Sequence, residues 1–233
     1  MSTYLQLCTY LRSETTDAGT GPTAVTGNTG ELARMVKWVA DAWTELQQDR
    51  EDWLWMRKSF TVDTVASDGA YEYTDCTDTV SAAAISRFAR WYTGPEDWKC
   101  YLTSTGVSGE YFLPWLEWED FKRLYRFGTQ TNGPPAHVSM DPTQAFVLGP
   151  KPDAIYTISG DYQTGPQVMT ADGDEPEMPA RFHALIVYEA MSKYGGTRVA
   201  PEAMLRAVSE GGRLRFALEL DQLPRMSYGA PLA

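Results

Sequence analysis

Apolar residues recur at helical steps at both ends of this chain and at alternate positions in its middle. Leu32, Met35, Val36, Val39, Trp43 and Leu46 share one face of a helix expected from Glu31 to Gln48. Asn28 and Glu31, three apart just ahead of that run, have the spacing of a capping box. A shorter helix is expected over Tyr4 to Ser13, and the stretch from Gly19 to Gly30 reads as loop from its glycines and threonines.

From Lys58 the period drops to two. Phe60 and Val62 alternate with polar neighbours, and Tyr71 and Tyr73 follow across Asp68-Gly69, which is the pattern of a β-hairpin. Further strands are expected over Ile85 to Tyr92, Lys99 to Thr103, Ala136 to Met140, Ala145 to Leu148 and Ala154 to Tyr162, with Gly, Pro and Asp between them. Short strands at this spacing make a small sandwich or barrel. One helix, Glu117 to Phe127, interrupts them with Phe121, Leu124 and Tyr125 on one face.

Helical periodicity then returns. Pro179 suits a first helical position, Phe182, Leu185, Ile186 and Ala190 form an apolar stripe, and Gly195-Gly196 is a stop signal. Pro201 opens a last helix through Met204, Leu205, Val208, Leu214 and Leu218. Gly211-Gly212 in its middle costs about 1 kcal/mol per glycine relative to alanine, which points to a close crossing or a bend. From Leu223 to Ala233, two prolines and no period leave an extended tail carrying Met226, Tyr228 and Leu232. The pattern therefore reads as α+β: a helical bundle of N- and C-terminal helices, a sandwich- or barrel-like β insertion, and an extended C-terminal tail. The expected segments are 1–57, 58–170, 171–222 and 223–233.

Composition narrows the function. With 43% hydrophobic and 22% charged residues the chain is expected to fold as an ordinary globular protein. Residues 1–12 lack the pattern of a secretory signal and no stretch is long and apolar enough for a membrane span, so a cytoplasmic protein is expected. The net charge of -11 argues against gripping nucleic acid through its phosphates, yet suits a surface past which DNA slides. Cys8, Cys76 and Cys100, widely spaced and without a CxxC pair, read as buried, idle thiols.

Candidate chemistry is sparse. His137 and His183 have neither HExxH nor HxxE spacing, and there is no GxSxG elbow, Walker loop or GxGxxG fingerprint. Asp172-Gly173-Asp174-Glu175 with Glu177 could be drawn as a calcium loop, but without the EF-hand spacing it reads as an acidic lead-in to the next helix. Glu117, Glu119 and Asp120 could supply a glycosidase pair, or simply mark a helix start. Trp38, Trp43, Trp53 and Trp55 could stack on sugars, although core and protein interfaces account for most such aromatics. No catalytic, cofactor-binding or metal-ligating residue is assigned.

Asp174-Glu175-Pro176-Glu177-Met178-Pro179-Ala180-Arg181-Phe182-His183, followed by Leu185-Ile186-Val187, Gly195-Gly196 and Ala200-Pro201-Glu202, resembles the C-terminal helical region of phage head-to-tail adaptors. Phe146-Val147-Leu148-Gly149-Pro150-Lys151-Pro152-Asp153 leading into Tyr156-Thr157-Ile158 resembles a Pro-x-Pro-Asp hairpin of the same proteins. The order of helix, β-rich insertion, helix pair and tail is similar over most of the chain, while the β region is larger than in the shortest members. The resemblance implies a non-enzymatic virion protein without a cofactor. Its subunits would form a ring, expected to be twelvefold, beneath the portal protein and joined to a tail or head-closure protein. DNA would pass through the channel without specific binding, and the subunit would be made in the host cytoplasm. Leu223, Pro224, Met226, Tyr228 and Leu232 are the residues expected to meet the portal or a neighbouring subunit. The competing readings are a carbohydrate-binding or hydrolytic tail module and, among structural proteins, a head-closure or tail-terminator protein.

Overall fold

The computed structural model describes residues 2–15, 20–198 and 200–224, with backbone alone at 197 and 198. Among the described residues are five α-helices and nine β-strands, the α+β architecture expected from the pattern. The chain divides into two compact units, one formed by residues up to 56 together with those from 166 on, the other by residues 57–165.

The helical unit contains α1 (Tyr4–Glu14), α2 (Gly30–Gln48), α4 (His183–Arg198) and α5 (Pro201–Gln222). In α1, Tyr4, Leu7, Cys8 and Leu11 turn one stripe inward, and Thr3 and Gln6 close a reciprocal capping box at its start. The periodic face read in α2 is the one that packs: Met35, Val39, Trp43 and Leu46 are buried, and Leu32 and Val36 are half-buried against the same core. The capping box expected at Asn28 and Glu31 does not form. Thr29 occupies the N-cap without a side-chain bond, and the Asn28 amide instead donates to the Ala24 carbonyl at 2.6 Å.

Helix α4 has a different character. Leu185, Ile186, Val187, Tyr188, Ala190, Met191 and Tyr194 are all buried, so it is apolar nearly all round and runs through the middle of the bundle against α1, α2 and α5. Pro179 precedes a 3-10 turn, Ala180–Phe182, and the α-helix proper starts at His183 rather than at the proline. Gly195 and Gly196 do not stop it. A Cβ on Gly195 would lie 3.1 Å from the Met204 sulfur and one on Gly211 would lie 3.3 Å from Tyr188 Cβ, so these two glycines let α4 and α5 approach closely. That contact compensates for their poor helix propensity. Ion pairs tie the rest: Arg215 with Glu189 at 2.9 Å and with Asp49, Arg50 with Glu219 at 2.9 Å, and Arg206 with Glu14 at 2.6 Å.

The β unit is built on β9 (Tyr156–Gln163). One edge of β9 pairs antiparallel with β1 (Arg57–Asp63) over its full length, and its other edge is shared by β4 (Arg90–Trp91) and β5 (Lys99–Leu102). Strands β3 (Thr77–Asp78) and β6 (Tyr111–Phe112) extend this sheet, while β2 (Ala70–Tyr71), β8 (Phe146–Gly149) and β7 (His137–Met140) form a second. Rings from both sheets meet in one core, with Phe60 lying 4.7 Å from Trp91, 5.3 Å from Trp98 and 6.0 Å from Phe146. The hairpin expected across Asp68-Gly69 is not made. Strands β1 and β2 belong to different sheets, because Phe60 and Tyr71 each gain more by entering the shared core with distant partners than by pairing locally. Of Ile85 to Tyr92 only Arg90–Trp91 is strand.

Gly160 stands opposite Phe60 in the register of β1 and β9, and a Cβ there would come within 3.0 Å of the Phe60 ring and 3.2 Å of the Asp97 carbonyl oxygen. The aromatic core closes over a position that only glycine leaves open. Gly160→Ala is expected to lower stability by about 1–3 kcal/mol through overpacking, measured as a shift in the denaturant midpoint with an unchanged slope.

Candidate functional site

The polar groups singled out as candidate chemistry are engaged in local structure. Glu117 is the N-cap of α3 (Trp118–Tyr125), Glu119 pairs with Lys122 at 2.8 Å and Asp120 with Arg123 at 3.2 Å. All three carboxylates are exposed on a single short helix, where they complement the positive end of its dipole. Phe121 of that helix is buried and Tyr125 is half-buried, but Leu124, expected on the same inward face, is 54% exposed. Phe121 and Tyr125 carry the inward face of the helix.

Both histidines are also held. His137 Nδ1 lies 2.7 Å from the Tyr125 hydroxyl. His183 is buried at the start of α4, where its Nδ1 accepts from the Ser2 backbone N–H at 3.1 Å. That leaves Nε2 to donate to the Met178 carbonyl oxygen at 3.1 Å, an arrangement of the neutral imidazole.

In the acidic run, Asp172 Oδ1 accepts from the Val25 N–H at 2.6 Å, and Asp174 Oδ2 accepts from the N–H groups of Thr170 and Ala171. These bonds hold the Asp174 carboxyl below its ordinary range. The backbone carbonyls of Asp174 and Asp172 accept the first N–H groups of α1, from Tyr4 at 2.7 Å and Leu5 at 3.2 Å. The run thus caps a helix distant in sequence, and among the described residues no cluster of His, Cys, Asp and Glu has the makings of a metal site.

The tryptophans expected as either platform or packing are mostly packing. Trp43 and Trp53 are fully buried, the Trp53 indole donates to the Leu46 carbonyl at 3.0 Å, and Trp53 stacks on Trp55 at 4.3 Å. A cleft of about 130 Å³ lies beside Phe121, Tyr125, Arg126 and Lys151, and a wide-open depression of about 510 Å³ lies over Glu119, Lys122, Arg123, Arg126 and Phe127.

Of the residues expected to meet a partner, Leu223 is half-buried against the helical core, its N–H donating to the Glu219 carbonyl at 3.0 Å, and Pro224 is exposed. Met226, Tyr228 and Leu232 lie outside the described residues. Periodicity alone misses the apolar side chains that face outward on α5 and just past α3. On α5 Leu205, Val208, Phe216 and Leu220 are all more than 60% exposed, and Phe127, beyond the end of α3, is 82% exposed. Spacing groups Leu205 and Val208 with Leu214 and Leu218 in one stripe; the structure separates them, with Ala207, Gly211 and Leu218 facing inward. Angular position around the helix, rather than spacing alone, splits them.

The family model described as SU10 adaptor protein matches residues 2–232, and the chain belongs to that family. It is therefore a phage structural adaptor, a virion protein associated with the head-tail components, as the resemblance implied. No curated protein matches the chain.

Burial pushes the Cys8 and Cys76 thiols up to about 12 and the Cys100 thiol up to about 11. All three are expected to resist a water-soluble disulfide reagent at pH 8 in the native protein and to react together on unfolding. The unfolded chain ionises these thiols near pH 9 while the fold keeps them protonated, so their contribution to stability is full below about pH 9 and lost as pH rises toward 12. Denaturation midpoints measured at pH 7, 9 and 10.5 check the sign.

Proposed function

We propose that this adaptor is one subunit of a non-enzymatic ring, expected to be twelvefold, that docks beneath the portal protein and joins the DNA-filled head to a tail or head-closure protein. DNA passes through the ring without specific binding, and assembly takes place in the host cytoplasm. The observation that carries this reading is the family match over nearly the whole chain. The net charge of -11 supports it further, since carboxylates facing a channel repel passing phosphates. A ring also makes economical use of modest contacts, because every subunit touches two neighbours through a heterologous surface.

The attachment element in this proposal is the segment from Leu223 to Ala233. Leu223 packs on the helical core and sets the base of the segment. Pro224, Met226, Tyr228 and Leu232 then reach the portal or the next subunit, over at most roughly 30 Å for nine residues beyond Pro224. Ordering such a segment costs about 1–2 kcal/mol per residue in backbone entropy, so its apolar side chains have to enter pockets. Because Leu223 helps to hold the end of α5, the informative truncation ends at Pro224 rather than earlier.

Protein truncated after Pro224 is expected to keep its thermal midpoint and to fail to join portal-bearing heads, scored as infectious particles after complementation. Normal particle yield would move the attachment surface elsewhere. In the absence of portal, sedimentation of the intact subunit is expected to show no closed ring, because the template supplies closure; a stable ring in isolation would contradict templating.

A further inference from the structure

We propose that the cleft between α3 and the loop after β8 binds one carboxylate, the side chain of an aspartate or glutamate on another protein, between Arg126 and Lys151. The cleft holds about 130 Å³ and is lined also by Phe121, Tyr125, Gly69 and Asp68. In a chain with 31 acidic and 20 basic residues, cations are the scarcer charge, and the neighbours of Arg126 on α3 are taken up locally, Lys122 by Glu119 and Arg123 by Asp120. Arg126 and Lys151 have no carboxylate partner among the described residues. The Arg126 guanidinium carbon lies 5.9 Å from the centre of the Trp118 ring, a contact that steadies the group and leaves its N–H donors available.

The backbone beneath these two cations has little freedom. Lys151 stands between Pro150 and Pro152, its carbonyl accepts the Gly133 N–H at 2.9 Å, and the Pro152 carbonyl accepts the Ser67 N–H at 2.8 Å. The stem of Lys151 lies over Gly69, where a Cβ would come within 3.0 Å of Lys151 Cγ. Tyr125 lies as closely over Gly149, where a Cβ would overlap its ring. Arg126 is the C-cap of α3, its N–H bonded to the Lys122 carbonyl at 3.0 Å. Two glycines thus let the lining side chains settle onto the backbone of neighbouring segments, and a ligand has to immobilise only the ends of two side chains.

Charge and size select the ligand. Arg126 offers a planar fork for the two oxygens of a carboxylate, and Lys151 a point charge beside it. Against them stand the Asp68 carboxylate, whose Oδ1 accepts from the Ala70 N–H at 3.3 Å, and the negative end of the α3 dipole. That balance accommodates a single negative charge, so a carboxylate suits the cleft better than a phosphate dianion. A cavity of about 150 Å³ admits benzene, so about 130 Å³ takes a carboxylate on a short aliphatic stem, the size of an aspartate or glutamate side chain. Exposed ion pairs are weak, and a free acid in this cleft is held only in the millimolar range. The same group carried on a protein surface is kept at high local concentration by the contacts around it, which favours a protein as its source. The site does not depend on the ring reading.

NMR titration of the folded, full-length chain at constant ionic strength is the test. Sodium propionate, and a blocked tripeptide with glutamate at its centre, are expected to shift the backbone signals of Gly69, Ala70 and Lys151 and the Arg126 Nε–H saturably. Sodium chloride is expected to leave them in place, and inorganic phosphate, largely a dianion at about pH 7.5, to bind more weakly than propionate. Arg126→Gln combined with Lys151→Gln is expected to weaken propionate binding at least about tenfold. Its thermal midpoint stays unchanged, because both side chains are exposed. Lys122→Gln, one turn from Arg126 and paired with Glu119, is the control and keeps full binding. Asp68→Asn retains an acceptor for the Ala70 N–H and is expected to tighten propionate binding and admit phosphate. The proposal is overturned if neither carboxylate gives saturable shifts, if chloride reproduces them, or if phosphate binds the unmodified chain more tightly than propionate. It is overturned equally if the double variant binds as before or if Lys122→Gln weakens binding as much. Propionate binding without peptide binding would overturn the assignment to a protein side chain.

Discussion

A helix that is apolar on nearly every side has to be covered on nearly every side, and α4 is that helix. Leu185, Ile186, Val187, Tyr188, Ala190, Met191 and Tyr194 have no solvent-facing arrangement, so the chain supplies α1 and α2 from its start and α5 from its end. The rest of the helical unit serves this burial. Gly195 and Gly211 thin the two helices where α4 and α5 meet, the acidic run from Asp172 caps α1, and Gln47 exchanges hydrogen bonds with Gln167 to fix the returning chain. Because the covering helices come from both ends of the sequence, everything between Arg57 and Gly165 is free to form a unit with its own core.

The same demand explains where the chemistry went. Carboxylates and imidazoles that would be candidates in an enzyme are here acceptors for backbone N–H groups, members of ion pairs, or partners of a tyrosine. The tryptophans that would suit a sugar platform mostly fill cores. Among the described residues the exposed large apolar side chains include Leu205, Val208, Phe216 and Leu220 on α5, and such a surface fits a protein that works by being held between other proteins. Membership of the SU10 adaptor protein family agrees with a structure whose surplus is surface rather than chemistry.

Elements governed by local periodicity were legible in the sequence. The face of α2, the short α1, and strands such as Lys99–Leu102 and His137–Met140 lie within a residue or two of where spacing places them. Features decided by distant partners were not. Asp68-Gly69 has turn chemistry, but whether β1 pairs across it depends on β9, nearly a hundred residues on. Asn28 and Glu31 have capping spacing, but the Asn28 side chain found the Ala24 carbonyl. Gly195-Gly196 signals a stop unless another helix is close enough to need the gap, and Met204 is. The adaptor resemblance was readable from ordered segments around Asp174 and Phe146, whereas the second apolar face of α5 shows only once the inward face is known. Residues Met226, Tyr228 and Leu232 gave an attachment proposal that rests on sequence alone.

The proposal that the chain is part of a ring under the portal requires it to be visible there, and a reconstruction of the assembled particle tests this most directly. Density for the α1, α2, α4 and α5 bundle is expected to repeat around the axis immediately below the portal, with the C-terminal segment reaching a neighbouring protein. Density for this chain at the tail tip, on a fibre, or nowhere in the mature particle would contradict it.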